Sequence, residues 1–165
     1  MLDKNNNNNY KQPIIGNILN NCLILIIDKI GNYIIQYLLT LGDNKIISEI
    51  INKIINNISF YSKHQFSNYV ILKLLIYSNK DDKNKILSKL SSPEIMSDLI
   101  FDPNSNYIIL KALICADNEK RNSLLIIINN LESKIKVFTH GINFLNKVNS
   151  YLNNSNYTNK EINFK

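Results

Sequence analysis

The chain is short of the residues from which most catalytic and metal centres are built. Its 165 residues include only four glycines, two cysteines and two histidines. Cys22 and Cys115 lie far apart, with no Cys-x-x-Cys pattern and no neighbouring histidine. That spacing argues against a zinc site or a disulfide framework, and both read as small core residues in a reducing compartment. No glycine loop able to grip a phosphate is present, and no nucleophile with a base and an orienting group, or carboxylate pair in a definable pocket, can be assembled. The reading is therefore of a non-enzyme with no catalytic residue, metal, cofactor or small-molecule substrate. Long hydrophobic runs are missing as well. Apolar residues make up 45% of the chain but come in short runs broken by Asn, Lys and Ser, none reaching the roughly 18 residues of a membrane span. The start, Met1 to Tyr10, has no apolar core of a signal peptide, so secretion is not expected. Alternating strand patterns are also absent, and the many isoleucines do not overrule a sustained 3.6-residue period.

What is present is a repeat. Asp28 to Leu39 contains Gly31-Asn32-Tyr33-Ile34-Ile35-Gln36. The stretch returns in altered form at His64 to Leu75, with Ser67-Asn68-Tyr69, and at Asp102 to Leu113, with Ser105-Asn106-Tyr107. The Asn-Tyr pairs stand 36 and 38 residues apart. A fixed period of this length marks a stacked repeat in which each unit buries its apolar face against its neighbours. Each copy reads as a short apolar helix, a helix carrying Asn-Tyr, and a longer third helix. Ile46, Ile47, Ile50, Ile51 and Ile54 form the apolar stripe of the first third helix,. Asp43, Asp81 and Asp117 are the expected N-caps of the three third helices. A fourth, degenerate copy, Gly141-Ile142-Asn143-Phe144-Leu145-Asn146, follows as expected of a terminal cap,.

The formal charge of +6, with a pI near 9.2, suits a polyanion partner,. It is weak evidence alone, because the abundance of Asn, Ile, Lys and Tyr reads as a bias of the whole composition.

These residues resemble the Pumilio (PUF) RNA-binding repeat over about Pro13 to Leu152. Gly31 to Gln36 looks like that family's second-helix motif, His64 to Ile71 like its seventh repeat, and the copy from Phe138 like its C-terminal cap. The resemblance implies an all-α, right-handed α-solenoid of three-helix, armadillo-like repeats. It places the chain as the last helix of repeat five, repeats six to eight and the cap, truncated at the N-terminus. The corresponding organisation is a disordered Asn-rich stretch at 1–12, a partial repeat domain at 13–152 and a polar tail at 153–165. Within the domain the repeats are 22–57, 58–92 and 93–131, with a cap at 132–152.

The chemistry of the repeated helix supports base reading. Residues i and i+4 sit side by side on a helix, so Asn32 and Gln36 place two amides at one point, matching the mixed donor and acceptor edge of an unstacked uracil. Tyr33 is turned about 100° away and can lie between successive bases. The base-edge candidates are thus Asn32, Gln36, Asn68 and Asn106, and the stacking candidates Tyr33, Tyr69 and Tyr107. Lys73 and Lys111 are candidates for weak backbone contacts. Where the family carries a second edge-reading side chain, this chain has Leu72 and Leu110, which neither donate nor accept. Guanine selection by the second repeat, usual in the family, is therefore not expected, and selectivity should be relaxed at those two places.

The function so implied is single-stranded RNA binding for post-transcriptional regulation of mRNA, with recruited protein partners, in the cytoplasm. One alternative is a divergent, low-specificity ribosome-assembly factor, which would be nucleolar. The other is a solenoid whose concave face holds a protein. The sequence further predicts an apolar edge of Ile14, Ile15, Ile18 and Leu19 open to solvent, and with it marginal stability, self-association, or a start that lies within a longer gene product.

Overall fold

The computed structural model describes residues 8–153. Eleven α-helices occupy them: α1 (Asn8–Asn20), α2 (Cys22–Leu25), α3 (Gly31–Thr40), α4 (Asn44–Ile54), α5 (Ile58–Lys63), α6 (Ser67–Tyr77), α7 (Lys80–Leu90), α8 (Pro93–Ile100), α9 (Asn106–Cys115), α10 (Asn118–Ile135) and α11 (Thr139–Asn153). There is no strand among the described residues. The chain is an all-α, right-handed solenoid of three-helix units. The second helices α3, α6, α9 and α11 stack in a row, and the third helices α4, α7 and α10 each pack on the second helix of their own repeat.

Helix position explains helix composition. α4 packs against α2, α3 and α6 with α1 and α7 also in contact and leaves one face to solvent, so it is striped: Ile46, Ile47, Ile50, Ile51 and Ile54 are all buried while Lys45 and Glu49 are exposed,. The inner helices α6 and α9 lie between two others and are apolar nearly all round, burying Val70, Ile71, Leu72, Leu74 and Leu75, and Ile108, Ile109, Leu110, Ala112 and Leu113.

Each second helix begins in the same way. Its first turn packs against the carbonyl six residues upstream, and only a very small residue fits. Ser67 Oγ donates to the Tyr61 carbonyl at 2.6 Å, and Ser105 Oγ to the Leu99 carbonyl at 2.8 Å. At the other two starts the residue is glycine. A Cβ on Gly31 would stand 2.9 Å from the Leu25 oxygen, and one on Gly141 only 2.2 Å from the Ile135 oxygen. The turn before α3, α6 and α9 is held by a side-chain acceptor. Asp28 takes the N–H groups of Ile30 and Gly31, His64 Nδ1 that of Phe66, and Asp102 those of Asn104 and Ser105.

The N-caps differ from expectation at one place. Asp43 and Asp117 cap α4 and α10, but α7 is capped by Asn79, whose side chain accepts from Asp82 N–H at 2.9 Å. Asp81 is an exposed first-turn residue. The reason lies in Asp82, which is buried and bonded to Ser48 of α4, so the helix must start early enough to aim it there. The true caps at 43, 79 and 117 keep the 36 and 38 spacing of the Asn-Tyr pairs.

Three further features depart from the sequence reading. The Asn-rich start is helical from Asn8 onward, with Pro13 inside α1 instead of at its first position; residues 11–14 are exposed, so their polarity costs nothing, and adding turns to a helix anchored by Ile15, Ile18 and Leu19 is inexpensive. Residues 1–7 and the tail after Asn153 lie outside the described residues. No break separates the third repeat from the cap at 131/132, because α10 runs through it without the Ser91-Ser92-Pro93 interruption that divides α7 from α8. Of the proposed open edge, Ile14 is 59% exposed, Ile15 and Ile18 are half-buried, and Leu19 is buried because it packs into the core.

Candidate nucleic-acid interface

The row of second helices carries the candidate residues at matching positions. The three tyrosines differ in exposure along the row. Tyr33 is 68% exposed and Tyr69 44%. Tyr107 is half-buried and already engaged: Lys147 Nζ of α11 donates to its hydroxyl at 2.9 Å and lies 4.0 Å from its ring centre. A cavity of about 190 Å³ opens beside it, lined by Pro103, Asn106, Tyr107, His140, Asn143, Phe144 and Lys147.

The three asparagines are buried and differ in how their amides are used. Asn32 is 2% exposed. Its Nδ2 donates to the carbonyls of Asp28 at 2.8 Å and Lys29 at 3.0 Å, and its Oδ1 accepts from Gln36 Nε2 at 2.8 Å. The predicted i, i+4 pairing of Asn32 with Gln36 therefore exists, but as a bond between the two. Asn32 orients the pair, and the half-buried Gln36 keeps its carbonyl and one N–H for an outside group. Asn68 Nδ2 makes a long 3.5 Å contact to the Asn104 carbonyl, and its Oδ1 is buried with no donor among the described residues. Asn106 is 3% exposed and lines the cavity.

Leu72 and Leu110 are buried, at 7% and 5% exposure, within the stack of second helices. Their apolar character is what that packing needs. The two lysines part company. Lys73 is half-buried with its ammonium 5.6 Å from the Tyr77 ring centre. Lys111 is 1% exposed, which corrects its assignment as a backbone-contacting group: its side chain is buried on α9.

Two residues on this surface escaped the sequence reading. Tyr37, one turn beyond Tyr33, is 65% exposed; its i+4 spacing was the available signal. Lys147 sits in the degenerate copy, where nothing in the motif marked it. Electrostatics around the first repeat are set by Asp28, whose carboxyl is held below its ordinary value by the Gly31 and Ile30 N–H groups, against a smaller opposing effect of burial.

Two segments, residues 21–55 and 57–91, match the Pumilio-family RNA binding repeat. No curated protein matches the chain by sequence. Among solved structures, PUF-8 in complex with PBE-RNA superposes with a TM-score of 0.79 at 23% identity, covering 86% of this chain and 42% of that one. The Puf3 RNA binding domain bound to a Cox17 RNA 3' UTR recognition sequence gives 0.72 at 26% identity, over 84% and 45%. The RNA-binding domain of yeast Puf5p bound to MFA2 RNA gives 0.74 at 25%, over 87% and 40%. The chain thus spans less than half the length of these structures. Repeat match, helix order and stacking agree: residues 21–55 and 57–91 are Pumilio-family RNA binding repeats, and the chain that carries them has the Puf solenoid fold.

Proposed function

We propose that the chain binds single-stranded RNA along the row of second helices and acts on mRNA after transcription, in the cytoplasm, as a binding protein and not as an enzyme. The observation that carries this reading is the tyrosine row: Tyr33, Tyr69 and Tyr107 occupy the same position on α3, α6 and α9, the arrangement needed for rings to alternate with bases,. PUF repeats read one base each through two or three side chains. In the first repeat the free carbonyl and N–H of Gln36, held by Asn32, match the N3–H donor and O4 acceptor of uracil. In the second, the Asn68 amide is buried and Leu72 offers no hydrogen bond, so this repeat contributes the Tyr69 ring and no base selection. The third repeat combines Tyr107 with Lys147, whose ammonium can hold a phosphate.

A low-specificity, ribosome-assembly role is the second reading, favoured by Leu72 and Leu110. Fluorescence anisotropy decides, using a short uracil- and guanine-containing single-stranded RNA, the same RNA with guanine replaced, a third with uracil replaced and the matching DNA, across a salt series. Loss of binding with DNA and on replacing uracil supports the mRNA reading. Salt-sensitive binding indifferent to base supports the assembly reading, and no binding by folded protein leaves a protein-binding solenoid.

A further inference from the structure

The third repeat lacks a second edge-reading side chain on its own helix, because Leu110 is buried in the helix stack at 5% exposure. Asn106 is differently placed from Asn32, whose amide is spent on Asp28, Lys29 and Gln36. It is 3% exposed, its side chain bonds to no described residue, and it lines the cavity of about 190 Å³. On the α11 side of that cavity stands Asn143, an exposed residue. Asn143 follows Tyr107 by 36 residues, at the place where a further repeat would carry tyrosine, and the smaller side chain leaves the space open. The cap helix is held on both sides of it. His140 Nε2 donates to the Phe101 carbonyl at 3.0 Å, and Lys147 Nζ to the Tyr107 hydroxyl at 2.9 Å. His140, Asn143 and Lys147 are spaced i, i+3 and i+7, so they share one face of α11, and the two clamps fix the amide between them. No acidic residue lines the cavity.

We propose that Asn143 is a base-selecting residue, which reads the RNA base at the third repeat together with Asn106, so that the cap supplies the amide that Leu110 has removed. Resting on the RNA-binding function proposed above, this contact restores selection where the repeat's own helix has lost it. The pair has the chemistry of Asn32 and Gln36, two amides offering donors and acceptors toward one base edge, but it is divided between α9 and α11. The Tyr107 ring and the buried Phe144 wall the same cavity with apolar surface, and Lys147 brings a positive charge for the phosphate,. Because the clamps hold α11 before RNA arrives, little ordering remains to be done on binding. The three repeats then differ in a definite order. The first selects through Gln36, the second is indifferent, and the third selects through Asn106 and Asn143. Neither an evenly selective row nor a uniformly unselective one has this order.

The test is fluorescence anisotropy of the full chain with short single-stranded RNAs in which each position in turn carries each of the four bases, repeated for Asn143→Ala and Gln36→Leu. The native chain should discriminate at least about ten-fold between best and worst base at two positions separated by one indifferent nucleotide. Gln36→Leu should abolish discrimination at one of the two and Asn143→Ala at the other, each leaving its counterpart intact. Asn143 is exposed, so its variant should keep the parent melting temperature. Asn149→Ala, at an exposed α11 residue outside the cavity, should bind like the parent. RNA binding with no selective position that depends on Asn143 would overturn the assignment and leave RNA binding standing. Equal losses in Asn149→Ala and Asn143→Ala would overturn it as a general effect of the cap. No binding of any RNA by the folded native chain would overturn both this contact and the function it rests on.

Discussion

The Cα of Gly141 is so close to the carbonyl of Ile135 that an added Cβ would stand 2.2 Å from its oxygen. Backbone atoms on both sides leave nothing flexible to give way. Gly141→Ala should therefore lower stability by about 1–3 kcal/mol through overpacking. Gly16 in α1 has nothing within 4 Å of a built Cβ, so Gly16→Ala should raise stability by about 0.5–1 kcal/mol through helix propensity. Thermal melts of the pair should shift in opposite directions.

Asp82 joins two repeats from within the fold. It accepts from Ser48 of α4, from Lys85 Nζ at 2.8 Å and from Asn79 Nδ2 at 3.1 Å, and is 2% exposed. Burial acts to raise its pKa, but the bonds from Lys85, Ser48 and Asn79 together outweigh it and hold the carboxyl below its ordinary 3.8. A depressed acid stabilises the fold above its unfolded pKa, and that stability is lost as pH falls through the folded value. Asp82→Ala should cost about 1–3 kcal/mol at neutral pH. Denaturant titrations below pH 4 should show the difference from the parent shrinking.

Cys22 is fully buried, and desolvation is the main cause that lifts its thiol to about 11, with Lys53 opposing weakly. A raised thiol stabilises the fold below its unfolded pKa and ceases to do so as pH rises through the folded one. Stability should thus decline from about pH 9 toward 11. At pH 8 the native chain should resist thiol reagents at Cys22, and unfolding should expose it to modification, as counted by mass spectrometry.

Tyr33 is too exposed to hold the fold together. Under the proposed function, Tyr33→Ala should weaken RNA binding by about 1–3 kcal/mol, roughly five- to 150-fold, with no change in melting temperature. Tyr107→Ala should affect both, because Lys147 depends on its hydroxyl and ring.

How far these features were legible in the sequence depended on whether the signal was periodic. The Asn-Tyr row, the isoleucine stripe of α4 and the Asp43 and Asp117 caps repeat at fixed spacing, so they could be placed without coordinates. Asn79 could not, because Asn79, Asp81 and Asp82 are three capping residues within four positions, and only the tertiary bond from Ser48 to Asp82 selects among them. Lys111 was misread because a lysine suggests solvent, while on α9, stacked between α6 and α11, it is buried. The internal bonding of Asn32 was also hidden: i, i+4 spacing brings two amides together but does not say whether they face outward or each other.

The two residues that lengthen the second interval from 36 to 38 enter neither the Asn-Tyr helices nor their caps. The distance from Asn-Tyr to the next N-cap is the same in every repeat, 32 to 43, 68 to 79 and 106 to 117. The extra length falls before the first-helix carbonyl that receives the serine: Leu90 to Leu99 is two residues longer than Ile54 to Tyr61, and α8 has eight residues where α5 has six. The first helix is thus an expansion gap, able to absorb insertions while the spacing from each Asn-Tyr pair to the next cap stays constant.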